Sequence, residues 1–215
     1  MNKLEQMPPF CQTDVVCSTG NYLDFLQTKQ KTHILSGFDV DEKKLNNNMF
    51  DFQKFIVKRA LKAGKYAIFA DCGLGKTLMQ LEWANQVCKE TKSKVLILAP
   101  LAVVGQTIQE GLKFGIDMTN IDVQNYEQLD NIECSIYSGI VLDESSILKN
   151  FEGATKKQII DNFISTPYKL ACTATPSPND PMELGNHSEF LDVMSRNEML
   201  AMYFVHDGGE TAKWR

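Results

Sequence analysis

Alternation of short apolar runs with helical stretches, a glycine-rich turn at the first such junction, and an acidic pair closing a later apolar run point to an α/β domain built on a mainly parallel sheet. The alternation sets in near residue 65. "YAIFAD" reads as a strand, "KTLMQLEWANQVCKE" as a helix and "KVLILAP" as a strand. "VVGQTIQEGLKF" is a helix, "IDVQN" and "GIVLDE" are strands, and "ATKKQIIDNFI" is a helix. "YKLACTAT" is a strand and "PMELGNHSEFLDVM" a final helix. Continuous apolar strands of this length, separated by helices, are buried on both faces. Right-handed crossovers then bring the loops that follow the strands to one edge of the sheet, where ligands gather in such folds.

The segments before that alternation are less regular. Residues 1–20 are polar, carry a Pro-Pro step and read as loosely ordered. Residues 21–49 form an accessory segment: a short helix in "NYLDFLQTKQKTHIL", with Tyr22, Phe25 and Leu26 at helical spacing, then a turn-rich connector broken at Asn46-Asn47-Asn48. "FDFQKFIVKRALKAG" reads as a helix closed by Gly64, with Phe52, Phe55, Ile56 and Leu61 as its apolar side.

Composition narrows the classes. The chain has 215 residues, 43% of them hydrophobic, and a formal net charge of -5. That is one good core, and its acidity argues against coating nucleic acid by bulk charge while permitting a local basic strip. No apolar run approaches the roughly 20 residues needed to span a bilayer, so no membrane association is expected. The six cysteines show no C-x-x-C pair and no histidine cluster, which argues against zinc and a disulfide framework. Buried small thiols in a reducing cytoplasm are the expectation.

Three loops carry the chemistry. In "ADCGLGKT", Gly73 and Gly75 let successive backbone N–H groups converge at a helix start, around Leu74. Lys76 would reach the β- and γ-phosphates of a nucleotide, and Thr77 would hold Mg²⁺. "GIVLDESS" ends a strand with Asp143 and Glu144. Asp143 suits the metal and Glu144 suits proton abstraction from a water; a solvated helix cap is the alternative for such a pair standing alone. In "ACTATPSPND", Thr173 and Thr175 follow an apolar strand, and their hydroxyls could meet the acidic pair or belong to a plain turn capped by Asn179 or Asp180. Lys54, Lys58, Arg59, Lys62 and Lys65 cluster around one helix, and Lys149, Lys156 and Lys157 follow the acidic loop. Solvated faces are the ordinary reading of such clusters and phosphate contact the other. Trp83 reads as core.

The order "FDFQ", "ADCGLGKT", "LILAPLAVVGQ", "VLDESS", "CTATP" resembles the first motor domain of superfamily-two helicases and translocases, above all the Snf-type, DEAD-like proteins carried by bacteriophages. The match runs from about Phe50 to about Met194, so residues 50–195 are expected to form a three-layer RecA-like phosphate-loop lobe, preceded by the short helical segment. The resemblance implies ATP and Mg²⁺ as cofactors. Ala70 agrees with the broader pattern A-x-x-G-x-G-K-T. Gln53 matches the glutamine that recognises adenine. Pro100, Leu101 and Gln106 match the stretch that touches the nucleic-acid backbone. Asp143 and Glu144 match the metal and base carboxylates, and Thr173, Ala174 and Thr175 the motif coupling hydrolysis to strand movement. Ser145 and Ser146 stand where many relatives have alanine and histidine. The implied partners are DNA, double-stranded or forked, and a second helicase lobe in cis or trans. That lobe would supply the arginines that stabilise charge on the γ-phosphate. Residues 196–215 are expected to lead toward it, and the chain alone to turn over ATP weakly or not at all. A nucleotide-binding docking module, a metabolic phosphate-loop kinase and a truncated remnant stand as the alternatives.

Overall fold

The computed structural model describes residues 35–149 and 153–204, all within one compact unit. Five strands form a single parallel sheet: β1 (Lys65–Phe69), β2 (Lys94–Ala99), β3 (Ile121–Asn125), β4 (Tyr137–Asp143) and β5 (Tyr168–Thr173). Their spatial order is β1-β5-β4-β2-β3. The helices are α1 (Asp51–Ala63), α2 (Lys76–Thr91), α3 (Leu101–Lys113), α4 (Ala154–Asn162), α5 (Leu184–Phe190) and α6 (Arg196–Tyr203). Among the described residues, no helix is long and apolar enough to cross a membrane.

Strand side chains alternate between two cores, as the pleat requires. Val95, Ile97, Val141, Leu170 and Cys172 face one core, packed against Val57 and Leu61 of α1 and Leu78, Trp83 and Val87 of α2. Leu96, Leu98, Ile140, Leu142 and Ala171 face the other, with Ile159 of α4 and Phe190 of α5. Each such fully buried aliphatic side chain is worth about 1.5–3 kcal/mol. Helices on both faces of a parallel sheet make the three layers that the alternation predicts. Trp83 is fully buried, as expected.

Several expectations need correction. The buried stripe of α1 is Gln53, Val57, Ala60 and Leu61, spaced i, i+4, i+7, i+8, whereas Phe52 and Phe55 are 45% and 61% exposed. A glutamine inside the stripe disguised it. The helix expected to be the last divides into a 3-10 turn (Pro181–Glu183) and α5, and α6 follows. The start of α6 is set by a capping box: Ser195 Oγ accepts from Glu198 N at 3.2 Å, and Glu198 Oε2 accepts from Ser195 N at 2.8 Å. The connector before α1 is turn-rich, yet Val40, Leu45 and Met49 are buried in the first core. The helix expected in "NYLDFLQTKQKTHIL" lies, but for Leu35, outside the described residues.

Candidate functional site

Parallel pairing puts the C-terminal ends of the strands at one edge. β5 lies between β1 and β4, with Phe69 opposite Thr173 and Asp143 opposite Cys172. The glycine turn leaves β1, the acidic pair leaves β4, and the two threonines leave the strand between them. Ala70 N donates to Thr173 O at 3.2 Å and ties the first loop to the third.

The glycine turn is built on two left-handed residues, Gly73 (φ 81°) and Gly75 (φ 74°), and Gly75 is the N-cap of α2. Lys76 Nζ reaches back across the turn to donate to Ala70 O at 2.8 Å and Asp71 O at 3.2 Å. Gln53, buried on α1, donates through Nε2 to Leu74 O at 2.9 Å and accepts from Phe50 N at 2.9 Å. It therefore fastens α1 to the turn. Thr77 is half-buried in the first turn of α2.

The acidic pair has a particular backbone. Glu144 is left-handed (φ 57°), a conformation uncommon outside glycine, and it begins the bend after β4. One oxygen, Glu144 Oε1, accepts from three hydroxyls: Ser146 Oγ at 2.7 Å, Thr173 Oγ1 at 2.7 Å and Thr175 Oγ1 at 3.4 Å. Thr175 N also donates to Thr173 Oγ1 at 3.0 Å, which turns Ala174 through the bend. Burial pushes the Asp143 carboxyl above its usual range, with the Glu144 charge adding, while the Gln80 amide and the Lys76 ammonium oppose the shift. Tyr126 OH donates to Asp143 O at 2.8 Å and braces the strand end.

The residues present fit a magnesium ion delivered with a nucleotide. Among the described residues no three His, Cys, Asp or Glu side chains gather to hold a metal. Magnesium needs only one or two carboxylates when phosphates complete its shell. A hydroxyl at Thr77 and the half-buried Asp143 carboxylate meet that requirement.

On the far side of Glu144 opens a cleft of about 420 Å³, lined by Pro100, Leu101, Asn125, Tyr126, Ser146 and Lys149 among others. The acidic loop and the start of α3 thus share one space. Gln106 does not join them: it is exposed on α3, with Nε2 3.0 Å from Glu110 Oε1. The basic clusters are partly engaged. Lys156, expected on a solvated face, is buried and paired with Glu189 at 2.7 Å; Lys65 pairs with Asp192 at 2.7 Å and Lys58 with Glu42 at 3.6 Å. Of the described cysteines, Cys88 and Cys172 are buried and Cys72, in the glycine turn, is exposed.

Three residues were given no role in the sequence reading. Ser146 supplies a donor to Glu144. His187 of α5 places Nε2 3.1 Å from Ser145 Oγ, a pairing across 42 positions that no local pattern announces. Gln80 did leave a signal: a polar residue inside the apolar stretch "LMQLEWA".

Comparison with solved structures finds the same fold in ATPase and helicase domains. The SWI2/SNF2 ATPase core of Sulfolobus solfataricus, determined in complex with double-stranded DNA, matches with a TM-score of 0.64 at 21% identity, over 75% of this chain and 40% of that one. The UvsW helicase of bacteriophage T4 matches with a TM-score of 0.58 at 15% identity, over 81% of this chain and 66% of that one. The Hef helicase domain of Pyrococcus furiosus matches with a TM-score of 0.55 at 19% identity, over 66% and 36%. The chain spans less than half of the first and third proteins and just under two thirds of the second. No protein-family model matches the sequence, and no curated protein matches it. The fold is a RecA-like α/β fold, shared with these ATPase-core and helicase structures.

Proposed function

We propose that the chain is the ATP-binding lobe of a DNA-dependent ATPase of helicase or translocase type, hydrolysing ATP with Mg²⁺ in concert with a second lobe supplied in cis or in trans. The observation that carries this reading is the convergence, at one sheet edge, of the Lys76 turn with an Asp143–Glu144 pair whose second member is held by the Thr173 and Thr175 hydroxyls. The DNA-bound Sulfolobus ATPase core supports DNA as the track.

In this reading the backbone amides from Gly73 to Lys76, at the positive end of α2, hold the phosphates. Lys76 leaves its two carbonyl partners for the β- and γ-oxygens. Gln53 positions the turn and presents its remaining amide hydrogen toward an adenine. Thr77 and Asp143 hold magnesium, which when bound neutralises charge on the phosphates. Glu144 keeps Oε2 free of protein donors among the described residues, so that oxygen orients a water and takes its proton. Thr173 and Thr175 sense whether Glu144 is engaged, because they share its other oxygen. The cleft beside Pro100 and Leu101 would admit the nucleic-acid backbone close to that same carboxylate.

Two substitutions test the assignment. Lys76→Ala should lose about 10- to 100-fold in affinity for an ATP analogue, the worth of one or two charge-assisted hydrogen bonds. Glu144→Gln should bind the analogue like the parent and lose about 100-fold or more in turnover, measured with DNA and with the second lobe added. Unchanged hydrolysis in both variants would show the assignment to be wrong.

A further inference from the structure

Gln80 is the side chain that the site as described leaves without a purpose. It follows Lys76 by four residues and Thr77 by three, and those spacings put all three on one face of α2. Helix α2 packs against β4, the strand that ends in Asp143. Gln80 is fully buried, and neither Nε2 nor Oε1 has a partner in hydrogen-bonding geometry among the described residues. The amide nonetheless stands close enough to Asp143 to offset part of the burial effect on its carboxyl.

Buried amides in folded proteins are almost always paired, because water has been withdrawn and nothing else repays the loss. A glutamine is also a poor choice for mere packing, since leucine or methionine would fill the space with no polar atoms to satisfy. The amide lies beside the Asp143 carboxyl, about one turn of α2 beyond Thr77. A polar group arriving with the ligand is what the position can use.

We propose that Gln80 is a positioning residue for the magnesium ion, accepting through Oε1 from a water of the ion's shell beside Asp143. The inference rests on the reading of the Gly73–Thr77 turn as a phosphate site. Magnesium gives up its water reluctantly and keeps several in protein sites, so a buried acceptor one turn beyond Thr77 fixes the shell without becoming a ligand. Groups that hydrogen-bond to a metal's first shell are commonly worth about 10- to 100-fold in metal affinity.

The test is a Mg²⁺ titration of the full chain with a fluorescent non-hydrolysable ATP analogue, in the parent, Gln80→Met and Gln80→Glu. Methionine keeps the length and burial but removes both polar atoms; glutamate keeps an oxygen acceptor. Gln80→Met should need about tenfold more Mg²⁺ or beyond to reach half of the affinity gain. It should bind the analogue like the parent without Mg²⁺. Gln80→Glu should return the Mg²⁺ requirement to within about threefold of the parent. The inference is overturned if Gln80→Met responds to Mg²⁺ like the parent, if it loses metal-free binding to the same degree, or if glutamate does no better than methionine. Should methionine prevent folding, Gln80→Asn, which withdraws the amide by one methylene, carries the same expectation. A parent with no Mg²⁺-dependent gain would sink the phosphate-site reading itself, and this inference with it.

Discussion

Gly75 has room for a side chain only if Gln53 moves. A Cβ there would stand 2.4 Å from Gln53 Nε2, and the residue's φ of 74° is already unfavourable to any L side chain. Gly73 has a similar φ of 81° but nothing within 4 Å of a Cβ. Gly73→Ala should therefore cost only the left-handed strain, about 1–2 kcal/mol. Gly75→Ala should cost that and also push Gln53 from the Leu74 carbonyl, so it should lose more stability and more nucleotide affinity. Urea unfolding and analogue binding of the two variants check this; equal losses would show that Gln53 does not support the turn. The residue scale also shows what a sequence can and cannot display. Lys76, Asp143 and Glu144 were legible because their spacing from glycines and strand ends is local. Ser146 and Gln80 were not assigned, because their meaning depends on Glu144 and Asp143 arriving from elsewhere in the fold.

Between elements, the contact of α5 with the turn after β4 is the least expected. His187 and Ser145 meet in the interior, and Phe69 of β1 packs edge-on against the imidazole with ring centroids 5.3 Å apart. Burial pushes the His187 pKa below its ordinary value of 6.5, with Glu183 opposing. The unfolded chain then takes up this proton near neutrality while the folded chain resists it. Stability attributable to His187 is present above the unfolded pKa and is lost as pH falls below it. As pH falls from about 7.5 to 5.5, the parent should lose more stability than His187→Gln in urea unfolding. Parallel losses in the two proteins would contradict the buried neutral ring. Element identity was largely legible, since each described strand and most helices coincide with an apolar run or a helical period. The facing of α1 was not, because Phe52 and Phe55 outweigh Gln53 in any reading by hydrophobicity while the turn at Leu74 claims the glutamine.

For the whole molecule, the decisive feature is the strand order. Placing β5 between β1 and β4 sets the threonine loop between the phosphate turn and the acids, so Thr173 can touch both through Ala70 N and Glu144 Oε1. Nothing in the linear pattern specifies that order, because right-handed crossovers permit several arrangements of five parallel strands. The alternation predicted a parallel sheet and the edge where loops collect; packing chose which loops became neighbours. The coupling proposed here follows from that neighbourhood more than from any single side chain. A crystal structure of this chain with magnesium and a non-hydrolysable ATP analogue tests it most directly. The account predicts phosphates cradled by Gly73 to Thr77, the ion between Thr77 and Asp143, and Glu144 facing the terminal phosphate with its threonine contacts rearranged. Nucleotide bound away from that turn, or both acids directed away from the phosphates, would contradict it.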